Sequence, residues 1–101
     1  MALIWIISAE YLGDYRLKLT FNDGAVKIFD GKDIITKPLY QVLQSQAVFQ
    51  RFELDGWTVS WENGKIDIAP EYLYEHAIAV WSNSFTIYIY YSSRNKLPEY
   101  S

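Results

Sequence analysis

Two runs of alternating hydrophobicity, each closed by an Asx-Gly pair, restrict this 101-residue chain to a fold built on β-hairpins. In the first run Tyr15, Leu17, Leu19 and Phe21 alternate with Arg16, Lys18 and Thr20 and lead into Asp23-Gly24. In the second, Trp57, Val59 and Trp61 alternate with Thr58 and Ser60 ahead of Asn63-Gly64. Each pair tolerates positive φ at two successive positions, as a two-residue type I′ loop requires. Such a loop predicts Phe21 opposite Val26, Leu19 opposite Ile28 and Thr20 opposite Lys27. In the second hairpin it predicts Trp61 opposite Ile66, Val59 opposite Ile68, and Glu62 beside Lys65. Trp57 and Trp61 are then expected in the core, facing Ile66 and Ile68.

The remaining segments fill out an α+β pattern. Residues 3–12 are apolar on both faces, as in a strand covered on both sides, and Gly13-Asp14 turns the chain. Residues 30–36 read as loop. Thr36 and Pro38 open a short helix reaching Gln44, with Leu39, Val42 and Leu43 on one stripe. Residues 45–54 read as a turn leading into a short strand with Phe52 and Leu54. Pro70 opens a second helix, with Glu71 in the first turn where the macrodipole favours negative charge. Its apolar stripe is Leu73, Tyr74, Ala77, Ile78 and Trp81. Residues 85–91 alternate again. The expected architecture is one α+β domain over residues 1–91: a small antiparallel hairpin-based sheet, two short helices and a C-terminal aromatic strand. Residues 92–101 form a polar tail.

Composition narrows the function classes. The net charge of −3 argues against direct nucleic-acid binding, which relies on clustered Lys and Arg. The absence of cysteine removes disulfides, thiolate metal ligands and cysteine nucleophiles, and suits the cytoplasm. Residues 2–7 lack the basic flank and cleavage pattern of a signal peptide, and no segment approaches the ~20 apolar residues of a membrane span. His76 is the only histidine, so no histidine cluster can form. Asp30, Asp33, Asp67 and Glu71 lack calcium-loop spacing, the serines sit in no nucleophile elbow, and the glycines form no phosphate loop. No catalytic, cofactor-binding or metal-ligating residue emerges, and no enzyme is expected.

Two surfaces remain as candidates. Arg16, Lys18 and Lys27 are expected on the outer face of the first hairpin, with Phe29 placed to stack on a base. The alternative is a solvated strand face whose lysines discourage edge pairing. Phe85, Ile87, Tyr88, Ile89, Tyr90 and Tyr91 form an uncharged aromatic strand that must be either inserted in the domain's own sheet or used as an interface. Aromatics make up 18% of the chain, which favours a contact role.

The run Tyr11-Leu12-Gly13-Asp14-Tyr15-Arg16-Leu17-Lys18-Leu19-Thr20-Phe21-Asn22-Asp23-Gly24 resembles the first hairpin of a prokaryotic family catalogued as domain of unknown function 2442. The resemblance continues through Asp30, Phe49, Trp61, Asn63-Gly64 and Asp67-Ile68-Ala69-Pro70-Glu71, then Leu73-Tyr74, and covers roughly residues 4–77. Residues 78–91 depart from the family pattern. The resemblance implies a small α+β domain, in some members fused to a helix-turn-helix or encoded beside another small protein in toxin–antitoxin-like pairs. It supplies no catalytic residue. The leading expectation is a protein–protein interaction module, as the antitoxin-like or regulatory member of a small operon, with a protein partner or a second copy as its target. The competing expectation is a small-molecule or nucleic-acid-binding domain that uses an aromatic sheet face.

Overall fold

A computed structural model describes residues 3–80. These residues form two antiparallel sheets and short helical segments, an α+β arrangement. The larger sheet has the order β1-β2-β3-β7, with β1 at Ile6–Gly13, β2 at Arg16–Phe21, β3 at Val26–Asp30 and β7 at Ile78–Ala79. The smaller is β4-β5-β6: Glu53–Leu54, Val59–Trp61 and Ile66–Asp67. Between the sheets in sequence lie 3₁₀ segments at Gly31–Asp33 and Pro38–Gln44 and one α-turn, α1, at Gln46–Phe49. Helix α2 spans Pro70–His76. Among the described residues no helix is long and apolar enough to cross a membrane.

The second hairpin holds the expected register, with Trp61 paired to Ile66 and Ser60 to Asp67. Its loop is a double turn in which Glu62, Asn63 and Gly64 all take positive φ. The first hairpin is slipped by one residue from expectation. Thr20 pairs with Val26, Leu19 with Lys27 and Lys18 with Ile28. Phe21 N–H donates to Ala25 O at 2.9 Å, so the loop comprises Asn22, Asp23 and Gly24, and only Gly24 has positive φ. This is a three-residue loop with glycine at the left-handed position, the bulged alternative to type I′. One extra loop residue moves every β3 side chain to the opposite face. Lys27 therefore lies on the core side, and Ile28 turns to the other face of the sheet, where it is still buried and pairs with Ile78.

Type I′ geometry occurs instead between β1 and β2, where Asp14 and Tyr15 take φ of 53° and 66°. A left-handed tyrosine is strained, and it persists here because its surroundings hold it from several sides. Its carbonyl accepts from Gly31 N–H at 2.7 Å, its hydroxyl donates to Gln44 O, and its ring meets Phe49 edge-on at 5.4 Å.

Several other expectations need correction. Strand β1 lies at the edge of its sheet and is half-buried: Ala9 and Tyr11 pack against the core while Ile7, Ser8 and Glu10 are exposed, so it is not covered on both sides. Helix α2 stops at His76, and Ala77 is extended, so Ile78 belongs to β7 and pairs with Ile28. The Pro38 helix is 3₁₀, in which residues three apart eclipse one another. Leu43 is buried and Tyr40 packs against the core, while Leu39 and Val42 form an outward row at 64% and 45% exposure. The aromatic strand and its residues 85, 87, 88, 89, 90 and 91, together with the polar tail, lie outside the described residues.

A single apolar core joins the two sheets. Leu17, Leu19, Phe21 and Phe29 come from one face of the larger sheet. Val59 and Trp61 come from the smaller, and Ile34, Leu43, Phe49, Ile68 and Leu73 from the connections and α2. Trp61 Nε1 donates to Phe49 O at 2.8 Å, and buried Thr58 donates from its hydroxyl to Ile68 O. These two buried polar groups thus find partners, as burial requires.

Candidate interaction surface and cleft

The three basic residues do not share a face. Arg16 and Lys18 lie on the outer face of the larger sheet, paired with Asp30 and Ile28 respectively. Lys27 lies on the core side, where Nζ donates to Tyr74 O at 2.6 Å and sits 3.6 Å from the centroid of the Tyr74 ring. Its charge meets the C-terminal carbonyls of α2, a favourable place for a cation. Phe29 is buried in the core, so the basic-plus-aromatic stacking face is not assembled. Among the described carboxylates, Asp30 caps the 3₁₀ turn at Gly31 by accepting from Lys32 N–H, and Glu71 sits in the first turn of α2. No group of three metal-ligating residues is brought together among the described residues. His76 stacks on Tyr72 at 3.9 Å with Nδ1 2.9 Å from Tyr72 O.

What the fold does assemble is an apolar surface around the start of β1. Ile6 N–H donates to Trp57 O at 3.0 Å, which draws the 55–58 turn against the strand. Trp57 stacks on Trp5 at 5.9 Å with an interplanar angle of 16°. Trp57 is 40% exposed, so it is not the core residue that period-two reading predicts. The physical reason is Asp55-Gly56: Asp55 Oδ1 accepts from Trp57 N–H at 2.9 Å and from Thr58 N–H at 2.8 Å, and Gly56 takes φ of 89°. That Asx turn puts Trp57 ahead of β5, and the signal was legible in the Asp-Gly pair itself. Leu3, Ile7 and Leu54 are exposed in the segments that flank this tryptophan pair. Asn22 fastens the N-terminal end, accepting from Trp5 N–H at 2.8 Å and donating to Leu3 O at 2.9 Å.

A second feature is a cleft of about 200 Å³ between the Pro38 segment and the start of α2, lined by Ile34, Lys37, Tyr40, Ile68, Ala69 and Tyr72. Tyr40 O–H donates to Asp67 O at 3.1 Å. Burial, and then the negative charge of Asp67, raises the Tyr40 phenol above its ordinary pKa. Neither the cleft nor the tryptophan surface was named from the sequence, since both join segments far apart in the chain.

The profile of a family described as Protein of unknown function (DUF2442) matches residues 6–79, from the first residue of β1 to the last of β7. The chain belongs to the DUF2442 family. The match takes in both hairpins, α2 and β7, so it spans every described strand. No curated protein and no solved structure matches the chain.

Two carboxylates of this DUF2442 domain give its stability a pH dependence. Asp14 accepts from Lys32 Nζ at 2.9 Å, with Arg16 3.6 Å away, and the Lys32 hydrogen bond holds its carboxyl below the ordinary value. Asp23 accepts from the Tyr74 hydroxyl at 2.6 Å and from Ala25 N–H at 2.9 Å, which lowers its pKa in the same direction. A depressed folded-state pKa means that protons bind the unfolded chain more tightly. The contribution is complete above the unfolded carboxylate value of about 4 and is lost as pH falls through the folded value. Urea midpoints are expected to stay flat from pH 7 to about 5 and to drop below about 4. The Asp14→Asn, Asp23→Asn double variant should show a shallower acid limb. An unchanged limb would assign the acid sensitivity to other carboxylates.

Proposed function

We propose that this DUF2442 domain is a non-catalytic protein–protein interaction module of the cytoplasm, acting through the tryptophan surface at the start of β1. The observation that carries the reading is the stacked Trp5–Trp57 pair, with Leu3, Ile7 and Leu54 exposed in the segments that flank it, Leu3 at 62% and Ile7 at 56%. Aromatic anchors bordered by aliphatic side chains are the composition of a contact hot spot. The rings are already ordered by stacking and by the Asn22 and Asp55 turns, so little side-chain freedom remains to be lost on binding. The family resemblance adds the biological setting, that of the antitoxin-like or regulatory member of a small operon, with a protein partner or a second copy as target.

The test compares the full-length chain with Ile7→Lys and Trp57→Ser. Both positions are exposed, so urea midpoints should move little, within about 0.5–1 kcal/mol. Sedimentation should show concentration-dependent association, or a native-lysate pull-down should recover a defined partner, and either signal should vanish in both variants. A full-length chain that is monomeric at high concentration and recovers no partner sinks the proposal. So does a partner whose recovery is indifferent to both substitutions.

A further inference from the structure

The cleft between the Pro38 segment and α2 is distinct from the tryptophan surface, and its chemistry is more selective. Its floor is apolar, made of the buried Ile34 and Ile68. Its walls are two tyrosine rings held in place by other contacts. Tyr40 is tethered through its hydroxyl to Asp67 O at 3.1 Å. Tyr72 meets Phe29 edge-on at 6.4 Å and stacks on His76 at 3.9 Å. The one formal charge that the described residues bring to the lining is Lys37, whose Nζ lies 5.9 Å from the centroid of the Tyr72 ring. Its backbone is fixed at the base of the 3₁₀ segment, with its N–H donating to Ile34 O at 2.9 Å and its carbonyl accepting from Tyr40 N–H at 2.9 Å. Lys37 makes no ion pair among the described residues, unlike Arg16 and Lys32, which both approach Asp14.

Size, shape and charge each restrict the occupant. A cavity of roughly 150 Å³ holds a benzene molecule, whereas drug-sized ligands need at least about 300 Å³. The 200 Å³ here suits one six-membered ring with a small substituent and excludes a nucleotide. Rigid aromatic walls favour a flat ring, in offset or edge-to-face contact. The polarity of the cleft also gives an orientation. The Tyr40 hydroxyl is already spent on Asp67 O at 3.1 Å, which leaves the Lys37 ammonium, 5.9 Å from the centroid of the Tyr72 ring, as the group that can receive an anion. A single ammonium in the lining matches a single negative charge, not a phosphate dianion that calls for several converging donors.

We propose that this cleft binds a small aromatic carboxylate, its ring seated between Tyr40 and Tyr72 over Ile34 and Ile68 and its carboxylate directed to Lys37. Binding at this site does not depend on the tryptophan surface, so the two readings stand or fall separately.

The experiment is a titration of the isotopically labelled full-length chain, followed by amide chemical shifts, with benzoate, benzamide and cyclohexanecarboxylate as probes. Benzoate should perturb residues 34, 37, 40, 69 and 72 with saturation in the millimolar range. Benzamide and cyclohexanecarboxylate should bind several-fold more weakly, the first lacking the charge and the second the flat ring. An exposed ion pair contributes about 0.2–1 kcal/mol, so Lys37→Gln should weaken benzoate by roughly 1.4- to fivefold and leave benzamide unchanged. Ala69→Leu, at an exposed position on the cleft wall, should weaken all three probes. The proposal is overturned if benzoate and benzamide bind equally, if Lys37→Gln changes neither, if the shifts map elsewhere, or if no shift appears at about 20 mM. The first two outcomes would leave an apolar cleft without charge selectivity.

Discussion

Replacing Trp61 with alanine should leave the domain unfolded or barely folded at 25 °C. The indole is 1% exposed and packs on Phe49, with ring centroids 5.5 Å apart. Its Nε1 also donates to the Phe49 carbonyl at 2.8 Å. Truncating a buried aromatic to alanine costs about 3–5 kcal/mol, and a buried carbonyl left without its donor adds roughly 1 kcal/mol or more. Domains of this size have about 5–15 kcal/mol in total, so the loss consumes most or all of the margin. Trp57→Ala, at an exposed position, should cost far less. Urea unfolding followed by circular dichroism checks both. Similar midpoints for the two variants would contradict the division of the tryptophans into one core and one surface residue.

Gly31→Ala should be the most damaging single-methyl addition in the domain. Gly31 is buried at the end of β3, and its backbone does not need positive φ. The obstacle is space. A Cβ at this position would lie 2.5 Å from Phe49 Cε2 and Cζ and 2.9 Å from Tyr15 O. Neither neighbour can yield easily. The Phe49 ring is bounded by Tyr11 at 5.9 Å, Tyr15 at 5.4 Å and Trp61 at 5.5 Å. Tyr15 O is held by the Gly31 N–H itself at 2.7 Å. Overpacking of this kind costs about 1–3 kcal/mol, and the upper end is expected here. Phe49→Leu, which removes the clashing ring atoms, should be less damaging in the Gly31→Ala background than alone, with a coupling of about 1 kcal/mol or more. Strict additivity, or a Gly31→Ala variant with the parent's midpoint, would show that the ring moves freely.

The parts of the fold visible in the sequence were those fixed by local chemistry. Asn63-Gly64 gave the right register for the second hairpin because its turn lies symmetrically between Trp61 and Ile66. Pro70 and Glu71 marked the start of α2 for the same local reason. Asp23-Gly24 predicts a two-residue loop, but the same pair closes a three-residue loop with a bulge here. The difference of one residue reversed Lys27, Ile28 and Phe29. The end of α2 was invisible because Ile78 continues its apolar stripe equally well, and only the pairing with Ile28 decides against the helix. A period of 3.6 puts Leu39, Val42 and Leu43 on one stripe, whereas the 3₁₀ period of 3.0 turns Leu39 and Val42 outward together. The apolar surface of Trp5 and Trp57 depends on a contact between residues about fifty positions apart, which no local pattern encodes.

The position of β7 has a consequence for how the chain comes off the ribosome. Strand β3 pairs with β2 as soon as the first hairpin is complete, but its other side waits for Ile78 and Ala79, about fifty residues later. At roughly 5–20 residues per second, that interval lasts several seconds. Throughout it the nascent domain presents Val26-Lys27-Ile28-Phe29 as an unpaired edge, with Phe29 still lacking the α2 side chains that cover it. The final contacts are Val80 N–H to Val26 O at 3.0 Å and Lys27 Nζ to Tyr74 O at 2.6 Å. These contacts tie closure of the sheet to docking of α2. Stalled or truncated products ending before residue 78 would therefore be the aggregation-prone species of this protein.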